Sequence, residues 1–279
     1  MLRLGKSLLT IKEHLRRYFY TDFYAVQTNS ATFNSINTAL RFSNPADHIL
    51  PGVVWGKPEH LFSPAFWHFQ AIQYTARETN VDVQLGKTLH EEVAACLLGG
   101  FGMPAALGLA AFARLRDKGL LTGPQCPQLL ERVLSEPLQV DGTLRRYRFP
   151  RQKANYLARC LQQLEDFREP ISDREFREEL SKLPGVGRKT ASWIVRNRRR
   201  SNDIAVIDIH IHRAGTYIGL FESGAAPQKH YLEMETQFVA FAYSLGVQTW
   251  LLDAVMWDVM RSIGSLIPSE PYTKHFTYH

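Results

Sequence analysis

The segment Leu183-Pro184-Gly185-Val186-Gly187-Arg188-Lys189-Thr190-Ala191 joins two chemically useful parts, and a third, Asp208, follows nineteen residues after its lysine. Gly185 and Gly187 can take backbone conformations closed to other residues, which lets a phosphate approach the main chain. A helix beginning near Arg188 aims its unpaired N–H groups at that anion. An amine at such a helix start, once it gives up its proton, is a nucleophile suited to Schiff-base chemistry. A lone carboxylate stabilises positive charge nearby, most strongly in a dry site. Each part also has a plainer reading. The turn alone is a Gly-Pro punctuation before a helix, Lys189 alone a surface phosphate contact, and Asp208 alone a helix N-cap. Their occurrence together, in this order, favours the chemical reading.

Basic residues gather around this segment. Arg145, Arg146, Arg148, Arg151 and Lys153 surround Tyr147 and Phe149, and Arg196, Arg198, Arg199 and Arg200 form a second run. Two basic runs flanking a phosphate-binding turn suit contacts to a DNA backbone, most of all through the first run. The net charge of +6 agrees with a polyanionic partner without proving one. The chain has 279 residues, 45% of them hydrophobic, the composition of an ordinary globular protein. No apolar run approaches the ~20 residues of a membrane helix. The N-terminus lacks a signal-peptide core, which makes a cytoplasmic location the default, nucleoid-associated in a bacterium. Cys96, Cys126 and Cys160 are too widely spaced for a disulfide framework or a CxxC metal site.

The elements that must position these residues are mostly helices. Thr88-Leu89-His90-Glu91 is a capping box that opens a helix ending at Gly99-Gly100. Helical patterns follow over Pro104–Lys118, Pro127–Ser135, Arg151–Phe167, Ser172–Leu180 and Thr190–Arg199. Asp208 caps a helix over Ile209–Tyr217, and Pro227–Ser244 and Thr249–Ile263 complete the series. The first part differs. Helices are expected over Leu8–Tyr20 and Pro64–Glu78, but Pro and Gly punctuate the rest and strand-like alternation is scarce. We therefore expect a mainly α fold with an irregular or mixed N-terminal region over 1–84 and a second domain over 85–279.

The hairpin, lysine and aspartate, in this order and spacing, resemble the helix-hairpin-helix (HhH-GPD) DNA glycosylases, with a two-lobed helical fold. The resemblance spans about residues 85 to 265. It implies that Lys189 attacks C1′ of a nucleotide and that Asp208 stabilises charge on the sugar. It implies phosphate contacts from Gly185, Gly187, Arg188 and His210, and DNA contacts from Arg148, Arg151, Gln152 and Lys153. For His210 a packed core role remains open. The carbonyls of Ser181, Leu183 and Val186 correspond to the family's ligands for a monovalent cation. No other cofactor is expected. The iron–sulfur cluster of endonuclease III needs cysteines after the catalytic aspartate, and none follows Cys160 here.

The helix Trp250-Leu251-Leu252-Asp253-Ala254-Val255-Met256-Trp257 resembles the last helix of the 8-oxoguanine DNA glycosylases, where a polar residue and an aromatic one line the base pocket. Asp253 and Trp257 are four apart and share a helix face, as do Lys189 and Trp193. Guanine offers two donors on its Watson–Crick edge, and a carboxylate, being acceptor-only, takes both. Adenine and cytosine present a ring acceptor there, which a carboxylate disfavours. Core packing for the tryptophans and a surface position for Asp253 are the plainer alternatives. In Gly99-Gly100-Phe101-Gly102-Met103-Pro104, Phe101 and Met103 occupy the family's place for a wedge that fills the hole left by an everted base.

These features point to a bifunctional DNA glycosylase/AP lyase acting on 8-oxoguanine or another modified guanine in double-stranded DNA, as a monomer without membrane contact. Excision of a hypermodified or foreign base, as in defence against phage, is the alternative enzyme reading. A non-catalytic helix-hairpin-helix DNA-binding module is the alternative of another class. It would need neither Lys189 nor Asp208.

Overall fold

Thr88 caps the first helix of the central region, and the reciprocal Glu91 bond goes to the residue before the cap. The Thr88 side chain accepts the Glu91 N–H at 3.2 Å, and Glu91 reaches back to the Lys87 N–H at 2.6 Å. The computed structural model describes residues 27–33, 36–77, 83–100 and 102–272. The helix expected over Leu8–Tyr20 and the wedge residue Phe101 lie outside them. Among the described residues the helices are α1 (Pro64–Arg77), α2 (Leu89–Leu98), α3 (Ala105–Asp117), α4 (Pro127–Ser135), α5 (Pro150–Leu164), α6 (Asp173–Leu180), α7 (Arg188–Arg199), α8 (Ile209–Tyr217), α9 (Pro227–Ser244) and α10 (Thr249–Ile263). No single described helix is long and apolar enough to cross a membrane.

Local chemistry sets these boundaries. Proline at the first helical position opens α4, α5 and α9, where its missing N–H costs nothing. Ser172 caps α6 through the Glu175 N–H. Helix α7 starts at Arg188, directly after Gly187, where the hairpin reading places its beginning.

The chain divides into two units. One takes in the described parts of Met1–Asp82 and Ile207–His279, and the other spans Val83–Val206. The break at 206/207 falls in an apolar run, Ile204-Ala205-Val206-Ile207, without linker composition.

In the Val83–Val206 unit, α2 packs against α3, α5 and α7, and α4 against α5. Leu97, Leu98, Leu115, Leu130, Leu161 and Ile194 are central to its core. A hairpin of β5 (Leu138–Val140) and β6 (Thr143–Arg145) lies beside α3. Asp141 and Gly142 both have positive φ, 49° and 75°, as the type I′ turn of a two-residue hairpin requires.

The other unit packs α10 on α1 and α8 and carries two further antiparallel pairs, β1 (Gln27–Phe33) with β2 (Ile36–Phe42) and β3 (His48–Leu50) with β4 (Val53–Val54). These strands and α1 make the region mixed, one of the two forms expected for it. Gln-Thr-Asn-Ser-Ala-Thr-Phe carries too few apolar residues to show a two-residue period.

His68 sits between the rings of Phe42, at 5.7 Å, and Trp55, at 5.9 Å. Burial lowers its pKa from 6.5 to about 4. Between these values the unfolded chain binds more protons than the folded one, so stability falls as the pH drops through that window. The full contribution is no more than about 3 kcal/mol. His60 shifts in the same direction, also through burial. Urea midpoints at pH 7 and pH 4.5 should therefore converge in His68→Leu relative to the parent. Parallel pH profiles for the two proteins would show that His68 does not report this burial.

Candidate active site

The turn between α6 and α7 is held from below and open above. Leu183 and Val186 are buried, and the Val186 N–H donates to Leu183 O at 3.1 Å. The Cys160 thiol donates to Pro184 O at 3.2 Å. Gly185 has φ +75°, and a Cβ there would lie 2.4 Å from Cδ2 of Tyr156, so only glycine lets that ring close on the turn. Gly187 is exposed, and a Cβ there would meet open space. It precedes α7 without a side-chain cap, which leaves first-turn N–H groups facing outward. Arg188 is exposed beside them, its guanidinium 3.9 Å from Glu178. A polyanion finds here bare amides, a helix N-terminus and a cation.

Lys189 stands in the first turn of α7, half-buried, with Nζ 5.8 Å from the centroid of the Trp193 ring one turn on. The expected pairing is therefore present. The indole in turn rests on the end of α2, where a Cβ at Gly99 would lie 3.3 Å from Trp193 Cη2. The helices α2 and α7 are also tied by Glu92, which is fully buried. Its Oε1 accepts Asn197 Nδ2 at 2.7 Å, and its Oε2 accepts the N–H groups of Leu85 at 2.9 Å and Gly86 at 2.7 Å. Burial pushes its pKa up. Sequence reading passed over Glu92 because the capping box had already used its neighbour Glu91.

Lys189 and Trp193 belong to the Val83–Val206 unit, whereas Asp208, His210, Asp253 and Trp257 belong to the other. Asp208 is 9% exposed and caps α8, its Oδ1 accepting the N–H groups of His210 at 2.8 Å and Ile211 at 2.9 Å. One oxygen thus takes both cap bonds. The His210 ring stands edge-on to the Trp257 ring, 6.5 Å between centroids. Asp253 is 1% exposed on α10, which removes the surface-acid alternative. Trp257, one turn further, is half-buried, with the Arg261 guanidinium 5.0 Å from its ring centroid. Arg261 is a neighbour that sequence reading did not anticipate, although the four-residue spacing 257–261 carries the signal. Trp250 is buried and donates to Gln248 Oε1.

The first basic run divides. Arg145, Arg146, Arg151 and Gln152 are exposed. Arg148 is exposed but donates to Gly102 O at 2.6 Å, and Lys153 is half-buried and donates to Leu97 O at 2.7 Å. Met103 is 9% exposed within the hydrophobic core, so its side chain packs inward at the wedge position.

The second run is partly engaged within the protein. Arg198 pairs with Glu169 at 2.8 Å, Arg199 with Asp173 at 3.0 Å, and Arg199 also donates to Pro170 O and covers the Phe176 ring. Arg196 is buried. Local carboxylates and carbonyls take the guanidinium groups of Arg198 and Arg199, and Arg200 is exposed. Arg151→Glu should accordingly weaken binding to all duplexes alike and lower the slope of log affinity against log salt, since a phosphate contact carries no base information. A loss selective for lesion-bearing DNA would refute that placement.

Residues 73–247, more than half of the chain, match the family described as 8-oxoguanine DNA glycosylase (Ogg-HhH). Among solved structures the chain is similar to the 8-oxoguanine DNA glycosylase of Thermotoga maritima, with 23% identity, 62% of this chain and 79% of that one covered, and a TM-score of 0.50. It is also similar to endonuclease III in a trapped covalent intermediate with DNA, with 18% identity, 76% and 91% covered, and a TM-score of 0.50. At these identities the structural likeness speaks for the fold. No curated protein matches the sequence. The family match, carried by a sequence that also holds the hairpin, the lysine at its helix start and the capping aspartate, places this chain in the 8-oxoguanine DNA glycosylase family of helix-hairpin-helix DNA glycosylases.

Proposed function

We propose that the protein excises 8-oxoguanine from double-stranded DNA and then cleaves the strand as an AP lyase. The observation that carries this reading is Lys189 in the open first turn of α7, its Nζ above the Trp193 ring. In the proposed reaction the neutral amine of Lys189 donates its lone pair to C1′. The bond from C1′ to the base nitrogen breaks, and the base leaves with that electron pair and takes up a proton. The Asp208 carboxylate stabilises the positive charge that the sugar carries meanwhile. Ring opening yields a Schiff base between Nζ and C1′. Loss of a C2′ proton then expels the 3′ phosphate and breaks the strand. The exposed turn at Gly185–Gly187 and Arg188 would hold the DNA phosphates near this chemistry.

Neutral carbonyl oxygens suit a singly charged cation. A carbonyl keeps a second lone pair after one hydrogen bond, as at Leu183 O with the Val186 N–H, so Ser181, Leu183 and Val186 would hold such an ion, which would offset phosphate charge.

The substrate assignment rests on Asp253 as acceptor for N1–H and the N2 amine of an everted guanine-type base, with Trp257 and Trp193 as aromatic partners. Leaving those donors unpaired costs about 1–3 kcal/mol. Asp253→Ala should therefore lose excision of 8-oxoguanine while lyase activity at a ready-made abasic site survives, because that step needs no base. Equal loss of both would make Asp253 structural. Single-turnover assays on a panel of modified-base duplexes test the assignment directly. Excision of a cytosine- or adenine-derived base, with none of 8-oxoguanine, would overturn it.

A further inference from the structure

The segment that opens α5 makes two hydrogen bonds to the end of α2 and a third to Gly102 beyond it. Tyr147 Oη donates to Leu98 O at 2.6 Å, Lys153 Nζ to Leu97 O at 2.7 Å and Arg148 Nη1 to Gly102 O at 2.6 Å. The last carbonyls of a helix lack intrahelical partners, and water usually meets that need. Here two of them are met by side chains 49 and 56 residues away in sequence. Tyr147 is buried at 4% exposure, and Lys153 is half-buried, so both donors are committed to this role in the free protein. The gripped backbone continues into Gly99, which is confined on two sides. A Cβ on Gly108 of α3 would come within 3.0 Å of Gly99 Cα, and one on Gly99 itself would press on Trp193. Trp193 in turn lies beneath the Lys189 amine. A continuous line of contacts therefore runs from Tyr147 and Lys153 through Gly99 and Trp193 to Lys189.

We infer that Tyr147, Arg148 and Lys153 are positioning residues, which fix the backbone after α2 and thereby the Trp193 indole that sets the direction of the Lys189 amine. The inference rests on the proposed role of Lys189 as nucleophile. It differs from a DNA-contact role for Arg148 and Lys153, which would act on affinity. It also differs from simple stabilisation, which would move the unfolding midpoint and leave the rate of the folded enzyme unchanged.

The test uses the full chain as wild type, Tyr147→Phe, Lys153→Met and Lys153→Arg, the last keeping a long cationic donor. Borohydride trapping on an abasic-site duplex is followed in single turnover against enzyme concentration, and amide hydrogen exchange is measured on the free proteins. We expect Tyr147→Phe and Lys153→Met to lower the saturating trapping rate tenfold to a hundredfold, on the order of what a small misplacement of a reacting group costs. The half-saturating concentration should stay within about twofold, since no phosphate contact is lost. Lys153→Arg should recover most of the rate. Exchange should quicken both in residues 97–104 and in residues 192–197. A raised half-saturating concentration with an unchanged saturating rate would overturn the inference in favour of DNA contact. Faster exchange confined to 97–104 would overturn it as well, by showing that the grip does not reach α7. If the wild type traps no adduct, the lyase reading fails on its own. The exchange measurement then decides the positioning role, for it if both segments respond and against it if 97–104 responds alone.

Discussion

Lys189→Gln should abolish both the borohydride-trapped protein–DNA adduct and strand cleavage at an abasic site. The expectation follows from bonding. A Schiff base needs a primary amine whose nitrogen becomes doubly bonded to C1′, and a carboxamide nitrogen has its lone pair delocalised into the carbonyl. Glutamine keeps an extended polar side chain on the same helix turn, so the turn at Gly185–Gly187 and the indole of Trp193 retain their frame. Binding to undamaged duplex should fall by no more than the loss of one cation implies. Trapping and cleavage by the Gln variant at wild-type rates would remove Lys189 from the nucleophile's role. Loss of trapping with strand cleavage intact would show that cleavage proceeds by another route.

Much of this arrangement is legible in the sequence because it is written in local chemistry. The limits of α4, α8, α9 and α10 match the reading, set by Pro127, Asp208, Pro227 and the apolar pattern of Thr249–Ile263. The pairing of Lys189 with Trp193 follows from helix geometry alone. What could not be read depends on partners distant in sequence. Glu92 and Asn197 are 105 residues apart, and neither carries a local sign of the other. Arg199 looks like a DNA contact until Glu169, Asp173 and the Pro170 carbonyl are seen around it. Lys153 looks like a surface cation until Leu97 O appears beside it. The Asp141-Gly142 turn is a different case. It carries the preferred pair for a tight hairpin between Leu-Gln-Val and Thr-Leu-Arg, a local signal set between two helical patterns. The burial of Asp253 is also legible in the sequence. Leu251, Leu252, Val255 and Met256 surround it and are all buried, and a helix apolar on that many sides leaves an acid at its centre no surface to occupy.

Asp208→Asn should slow base excision by several orders of magnitude while leaving DNA binding and the fold almost unchanged. The geometry makes this substitution unusually clean. Asp208 caps α8 through one oxygen, Oδ1, which accepts the N–H groups of His210 and Ile211. Asparagine keeps one acceptor oxygen of the same reach and is among the preferred N-cap residues, so the cap survives. What disappears is the negative charge. In a site where Asp208 is 9% exposed, that charge is held in place before the reaction begins and is not spread into water. Removing one such preorganised group costs on the order of 10²–10³ in rate at other active sites, and a full charge facing a developing cation sits at or above that range. The measurement is the single-turnover excision rate on an 8-oxoguanine duplex, with the thermal midpoint and duplex affinity as controls. Asp208→Ala supplies the contrast, since it should lose the same rate and also destabilise α8 by about 1 kcal/mol through the missing cap. A wild-type rate in Asp208→Asn, with a loss appearing only in Asp208→Ala, would reduce Asp208 to a helix cap and require another source of charge at the sugar.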